Sequence, residues 1–292
     1  MQVQIELIEL FMISVSIVGA SGYSGAELIR ILSRNTNVCI KSVIAATSVS
    51  KKVAELYPVF SGLTDLEYQS LEDEALTAVD VIFAALPSGE SMNIVPQLLG
   101  RGSRVIDLSG DFRLPSSKLY EEYYQHPHTS QSLLNEAVYG LPELYLEELK
   151  HARLVANPGC YATSIILAIL PALQASIISA SDIIITSLSG VSGAGRSASL
   201  ELSFSEVNEN IRAYKIIHHQ HIPEIQAVLS METSQNVQIS FVPHLVPLTR
   251  GIYTTIHAKL EVAITEPEVV KIYEMFYDNA PFVRIKRQIP QT

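Results

Sequence analysis

Cysteine and histidine are the residue types in this chain whose placement suggests covalent chemistry. Cys160 stands in Ala156-Asn157-Pro158-Gly159-Cys160-Tyr161-Ala162-Thr163, between a turn-forming run and an apolar stretch read as a helix over 162–176. The sulfur therefore falls in or just before the first helical turn, where backbone N–H groups and the positive end of the helix dipole favour a thiolate. A thiolate is a strong nucleophile, and a nearby histidine completes an acid/base pair. Three of the eight histidines crowd into Ile217-His218-His219-Gln220-His221-Ile222-Pro223-Glu224-Ile225. His219 and His221 share one face if that segment is extended. A metal site is the rival reading, set aside because two histidines and Glu224 lack a further clear ligand. The other cysteine, in Val38-Cys39-Ile40, reads as a core residue.

Such groups need a scaffold, and the pattern ahead of Cys160 supplies one. Residues 13–18 read as a strand that runs directly into Gly19-Ala20-Ser21-Gly22-Tyr23-Ser24-Gly25 and then a helix over 26–34. A glycine-rich turn between strand and helix lets a pyrophosphate approach the backbone and rest on the helix N-terminus. The spacing is G-x-x-G-x-x-G, and its strand-turn-helix setting carries the dinucleotide reading. Gly19, Ser21, Gly22, Tyr23, Ser24 and Gly25 are the candidate phosphate-binding residues. A second strand over 38–46 ends in Ala46-Thr47-Ser48-Val49-Ser50-Lys51-Lys52, with no ribose-binding carboxylate. Thr47, Ser48 and the lysines suit a 2′-phosphate, hence NADP over NAD. Strands over 81–85 and 104–108, with a helix over 93–100, continue an alternation that predicts a parallel doubly wound sheet. Their following loops, including Pro87-Ser88 and Ser109-Gly110-Asp111-Phe112-Arg113, lie where ligands gather in such sheets.

After Cys160 the texture changes. Strands are expected over 183–188, 237–242 and 251–259, with fewer helices between them. The first runs into Ser189-Gly190-Val191-Ser192-Gly193-Ala194-Gly195-Arg196, a small-residue loop that can turn backbone N–H groups toward an anion. The fold class expected is α/β: a Rossmann-type doubly wound parallel sheet over 1–156, then a second α+β domain over 157–292 with a mixed, largely antiparallel sheet. Residues 1–11 read as an extension ahead of the first strand.

Composition narrows the function class. With 292 residues, 48% hydrophobic and 17% charged, the chain has ample material for packed cores. A formal charge of −10 without a Lys/Arg cluster excludes a nucleic-acid surface. The charge-poor run from 154 to 181 is interrupted by Asn157, Pro158, Gly159 and Pro171, which favours a core helix over a membrane span. Two cysteines distant in sequence imply a reducing, cytoplasmic setting.

Four stretches together resemble the N-acetyl-gamma-glutamyl-phosphate reductase family, related in fold and chemistry to aspartate-semialdehyde dehydrogenase. They are 18–25, 108–114, 157–163 and 189–196, with 219–225 as a fifth. The resemblance implies an acyl-phosphate reductase of arginine biosynthesis that uses NADPH. It implies that Cys160 forms a thioester, that His219 activates the thiol and supplies a proton, and that His221 orients the substrate. Arg113, Ser192 and Arg196 are the further substrate-contact candidates, the arginines through paired bonds to phosphate or carboxylate. The alternative for the arginines is an ion pair with a loop carboxylate such as Asp111. Pro87, Ser88, Ser189 and Gly190 complete the cofactor set. The family suggests homodimers or homotetramers, and it continues past residue 292 with a further strand and a final helix. Two alternatives stay open: an aspartate-semialdehyde dehydrogenase-type enzyme, and an NADP-binding protein without catalysis.

Overall fold

A computed structural model describes residues 12–71 and 79–291; the expected N-terminal extension lies outside them. The chain forms two compact units. The first runs to Ser117 and takes in His126–Gly140 and Glu147–Asn157; the second comprises Lys118–Gln125, Leu141–Leu146 and the chain from Pro158 onward.

The first unit holds a seven-stranded sheet. Its strands are β1 (Ile13–Val18), β2 (Val38–Ile44), β3 (Tyr68–Gln69), β4 (Val81–Ala84), β5 (Arg104–Asp107), β6 (Val138–Tyr139) and β7 (Leu154–Ala156), in spatial order β3-β2-β1-β4-β5-β7-β6. Every pairing is parallel. Such a sheet is covered on both faces, which is why β1 is continuously buried from Val15 to Val18. Even its polar Ser16 is satisfied inside, 2.7 Å from the hydroxyl of Ser42 on β2. Strand order reverses at β1, between β2 on one side and β4 on the other, so the crevice beyond the carboxyl ends of β1 and β4 is the switch point at which such sheets bind ligands. Two helices open there, α1 (Tyr23–Leu32) after β1 and α2 (Ser91–Gly100) after β4. Helix α1 starts three residues before the expected 26, because Gly22 caps it and the last residues of the glycine run already form its first turn.

The second unit is built around α3 (Cys160–Gln174), whose Tyr161, Ala162, Ile165, Ile166, Ile169, Leu170 and Leu173 are buried at near-helical spacing. Burying each large aliphatic of that stripe contributes about 1.5–3 kcal/mol. Its strands are β8 (Ile183–Ser189), β9 (Arg212–Ala213), β10 (Ile239–Leu245) and β11 (Ile252–His257), in order β11-β8-β10-β9. The sheet is mixed: β8 and β10 are parallel, and the β8–β11 and β9–β10 pairings are antiparallel. Helices α4 (His221–Thr233) and α5 (Glu266–Phe276) pack on α3. Pro171 has no N–H to offer the carbonyl of Leu167 one turn earlier; the Tyr277 hydroxyl donates to that oxygen at 2.6 Å, and Tyr273 to the neighbouring Ala168 carbonyl at 2.6 Å. Among the described residues no helix is long and apolar enough to cross a membrane.

Candidate active site

Cys160 is the first residue of α3, exposed, behind the N-cap Gly159. Asn157-Pro158-Gly159 cannot continue β7 into a helix, so the chain turns and the helix begins on the cysteine. Helix α4 fixes that turn from two positions three residues apart. Glu224, fully buried, accepts the Gly159 N–H at 2.8 Å. The His221 ring lies directly on the Gly159 Cα, so a Cβ there would be 2.3 Å from Nε2. Glycine is required by this close approach and not by its backbone, which is extended at φ −64° and ψ 150°.

On the other side of the cysteine, Tyr161 packs edge-on against His219, with ring centroids 5.4 Å apart. His219 is 2% exposed and also meets Tyr214, His221 and Phe241 edge-on. Burial foremost, then the charges of His221 and Lys215, pull its pKa down to about 3, so the ring is neutral at physiological pH. Both histidines thus abut the residues that flank Cys160. The hydroxyls of Tyr161 and Tyr214 pair at 2.8 Å. Burial foremost pushes both phenols up, and negative charge at Cys160 adds to the effect, which places the pair within electrostatic reach of the sulfur.

The histidine segment corrects one expectation. It is not extended: His221 begins α4 and His219 precedes it, since Pro223 is tolerated in a first helical turn. Read as a helix start, the spacing of His221 and Glu224 would have marked the carboxyl group as a third member of the cluster. The loop 189–196 corrects another. Its amides face chain and not an anion: Gly190, Val191 and Ser192 donate to the carbonyls of Gly251, Leu248 and Thr249, and Gly195 to Ser192. A Cβ on Gly190 would lie 2.7 Å from the Arg250 nitrogen. Ser189 belongs to the same packing, buried and bonded to Tyr161 and to the Gly190 carbonyl. Ser192 is half-buried and Arg196 exposed on this loop.

In the first unit, the glycine turn is closely packed between β1, β4 and α1. Gly19 has φ +80°, and a Cβ on it would lie 2.2 Å from the Ala85 carbonyl oxygen at the end of β4. A Cβ on Gly25 would lie 2.5 Å from the Ala20 Cα, so α1 presses against its own turn. Helix α1 has no side-chain cap and no acidic residue in its first turn, leaving its N-terminus to an anionic ligand. The Ser21 carbonyl is held by the Tyr57 hydroxyl at 2.8 Å, while Tyr23 and Ser24 are exposed. Beyond β2, Thr47 is exposed and Ser48 buried. Ser88 accepts the Gly110 N–H at 3.0 Å, tying the two loops together beside the exposed Pro87. Asp111, missed in the sequence as a functional group, accepts from Gly89 at 2.8 Å and Met92 at 2.9 Å and so caps α2. Arg113 donates to the carbonyls of Asn157 and Leu108, both at 2.7 Å, and braces the residue that leads into the cysteine turn.

Two family models match the chain: the semialdehyde dehydrogenase NAD binding domain over residues 14–152 and the semialdehyde dehydrogenase dimerisation domain over 160–292. N-acetyl-gamma-glutamyl-phosphate reductase of Pelotomaculum thermopropionicum is 45% identical, with 94% of this chain and 79% of the relative covered. That of Desulfotalea psychrophila is 46% identical, covering 94% and 80%. Among solved structures, aspartate semialdehyde dehydrogenase II of Vibrio cholerae aligns with a TM-score of 0.68 at 18% identity, over 90% of this chain and 79% of that one. The Candida albicans aspartate semialdehyde dehydrogenase with NADP aligns at 0.64 and 15%, over 89% and 75%. At such identities these structures establish the fold alone. With the glycine turn, the cysteine turn and the histidine segment all in place, the two reductases at 45% and 46% identity settle the kinship: the chain belongs to the N-acetyl-gamma-glutamyl-phosphate reductase family.

Proposed function

We infer that this protein reduces N-acetylglutamyl 5-phosphate to N-acetylglutamate 5-semialdehyde, with Cys160 as nucleophile. The observation that carries the reading is an exposed cysteine at the first position of a buried helix, its turn gripped by His221 and Glu224 and its other neighbour packed on His219. The Cys160 thiolate attacks the acyl carbon, forming a C–S bond; the bond from that carbon to the bridging oxygen breaks, and phosphate leaves with the oxygen. Gly19, Gly22 and Gly25 would hold NADPH, with Thr47 and Ser48 the candidates for its 2′-phosphate, and the hydride it would supply reduces an acyl group at this oxidation level to an aldehyde. Cys160 would then serve as the leaving group: the C–S bond breaks, releasing the aldehyde and returning the thiolate. Arg113 holds the turn carbonyl, so its contribution is to fix the approach to Cys160. Arg196, exposed on its loop, is the candidate contact for a substrate anion. A homo-oligomer assembled through the second unit is the matching quaternary state.

Assay in the reverse direction tests the reading: phosphate-dependent reduction of NADP by N-acetylglutamate semialdehyde, with aspartate semialdehyde as comparator. A preference of at least tenfold in kcat/KM for the acetylated substrate is expected. Equal or inverted preference would overturn the assignment.

A further inference from the structure

The glycine turn after β1 is fixed by bonds that engage its peptides in sequence. The Gly19 and Ala20 N–H groups both donate to the Ile44 carbonyl at the end of β2, at 3.0 and 2.9 Å. The peptide between Ser21 and Gly22 is then gripped at both ends. Its N–H donates to the Gly19 carbonyl at 3.1 Å, and its C=O accepts the Tyr57 hydroxyl at 2.8 Å. The first bond closes the turn on itself; the second reaches in from a distant part of the chain. Tyr57 is itself well seated for this. It closes the short helical turn Val53–Leu56, donating its N–H to the Val53 carbonyl at 2.9 Å, and its half-buried ring meets the buried Phe60 edge-on, with centroids 6.3 Å apart.

A turn of this composition needs such a hold. Rotating the 21–22 peptide changes ψ at Ser21 and φ at Gly22, and glycine admits either sign of φ at little cost. A rotated peptide exchanges the places of its C=O and its N–H. The next amides, of Tyr23, Ser24 and Gly25, form the opening turn of α1, where helical bonding leaves N–H groups to an anion. A carbonyl oxygen free to swing beside those donors sets negative partial charge against a pyrophosphate. One tied to Tyr57 does not swing.

Resting on the NADPH reading given above, we propose that Tyr57 is a positioning residue for the dinucleotide: its hydroxyl holds the 21–22 peptide in the orientation that leaves the start of α1 to the pyrophosphate. It acts through the turn. The segment leading to Tyr57 follows Thr47 and Ser48, the 2′-phosphate candidates, yet that segment has anchors of its own. Ser50 N–H donates to the Tyr68 carbonyl at 2.7 Å, Tyr68 N–H to the Lys51 carbonyl at 2.9 Å and Val53 N–H to the Leu66 carbonyl at 2.9 Å. Losing the Tyr57 hydroxyl therefore loosens the turn and leaves the 2′-phosphate candidates in place.

Tyr57→Phe on the full chain tests this, since it removes the hydroxyl and keeps the ring against Phe60. Calorimetric titration with NADPH should show affinity weakened by about five- to tenfold, the worth of one hydrogen bond. The KM for NADPH should rise by the same factor, with kcat at saturating NADPH and the KM for the acyl phosphate unchanged. Adenosine 2′-monophosphate, which lacks the pyrophosphate, should inhibit the variant with the same constant as wild type. In cofactor-free protein the Gly22 amide should exchange its hydrogen faster by a comparable factor. NADPH affinity at the wild-type level, equal weakening of NADPH and adenosine 2′-monophosphate, or unchanged Gly22 exchange would each overturn the proposal. Failure of the parent reading looks different: wild type itself would bind no NADPH or show no phosphate-dependent turnover, while the Gly22 exchange result would stand.

Discussion

Gly159→Ala is the sharpest mechanical perturbation the site allows. Alanine adopts the backbone angles of this position without strain, so the whole effect is one added methyl group. That methyl would stand 2.3, 2.6 and 2.7 Å from Nε2, Cε1 and Cδ2 of His221, where ordinary contact begins at 3.4 Å. Ring or turn must therefore yield by about 1 Å. The ring is hemmed in by Tyr161 and His219, and the turn is held by the Gly159 N–H bond to Glu224. Overpacking of this kind costs about 1–3 kcal/mol of stability, and a displacement of about 1 Å at the nucleophile costs about 10²-fold in rate. Urea unfolding and the phosphate-dependent reduction of NADP read the two effects. His221→Ala provides the control: with the ring gone, adding Gly159→Ala should cost less than about 0.5 kcal/mol further, giving a strong coupling in the double-mutant cycle. A Gly159→Ala enzyme with turnover within about threefold of wild type and no coupling to His221 would refute the claim that this ring seats the cysteine turn.

Other expectations follow from the same geometry. Tyr277→Phe strips the Leu167 carbonyl of its donor beside Pro171 and should cost about 1–3 kcal/mol in urea unfolding, with kcat unchanged. Asp111→Ala removes the acceptor for Gly89 and Met92, and should raise the KM for NADPH severalfold while lowering stability by about 1–2 kcal/mol. Burial, against hydrogen bonds from Ser109 and Ser91, raises the Asp107 pKa to about 6. A carboxyl that binds its proton more tightly folded than unfolded loses stability as pH rises from about 4 to 6, so Asp107→Asn should gain stability relative to wild type between those values. Histidine 219, depressed instead, makes stability fall as pH drops from the usual histidine value toward 3; comparing the two proteins at each pH cancels that opposing trend. Thermal melts at pH 4 and 7 measure the difference.

What was legible beforehand was local. The strand expected over 13–18 is β1 to the residue, and the glycine turn after it needs only short-range knowledge: an apolar run, then residues that admit φ +80°. Cys160 announced itself through its turn. Strands of two or three residues, β3, β6 and β7, went unread because pairing with neighbours, and not their own pattern, makes them strands. The small-residue loop after β8 looked like an anion nest, yet its amides are taken by carbonyls some sixty positions along the chain, a tertiary fact no local pattern encodes. The histidine segment was misread for a related reason. Its alternation suggested an extended chain, whereas packing on α3 favours a helix that begins on His221 and turns Glu224 toward Gly159.

The central claim, that Cys160 carries the acyl group, is tested most directly by mass spectrometry of the protein mixed with the acyl phosphate in the absence of NADPH. An N-acetylglutamyl adduct on the peptide bearing Cys160, discharged as semialdehyde when NADPH is added, is the predicted result. No adduct on that peptide, with turnover undiminished in Cys160→Ala, would contradict it.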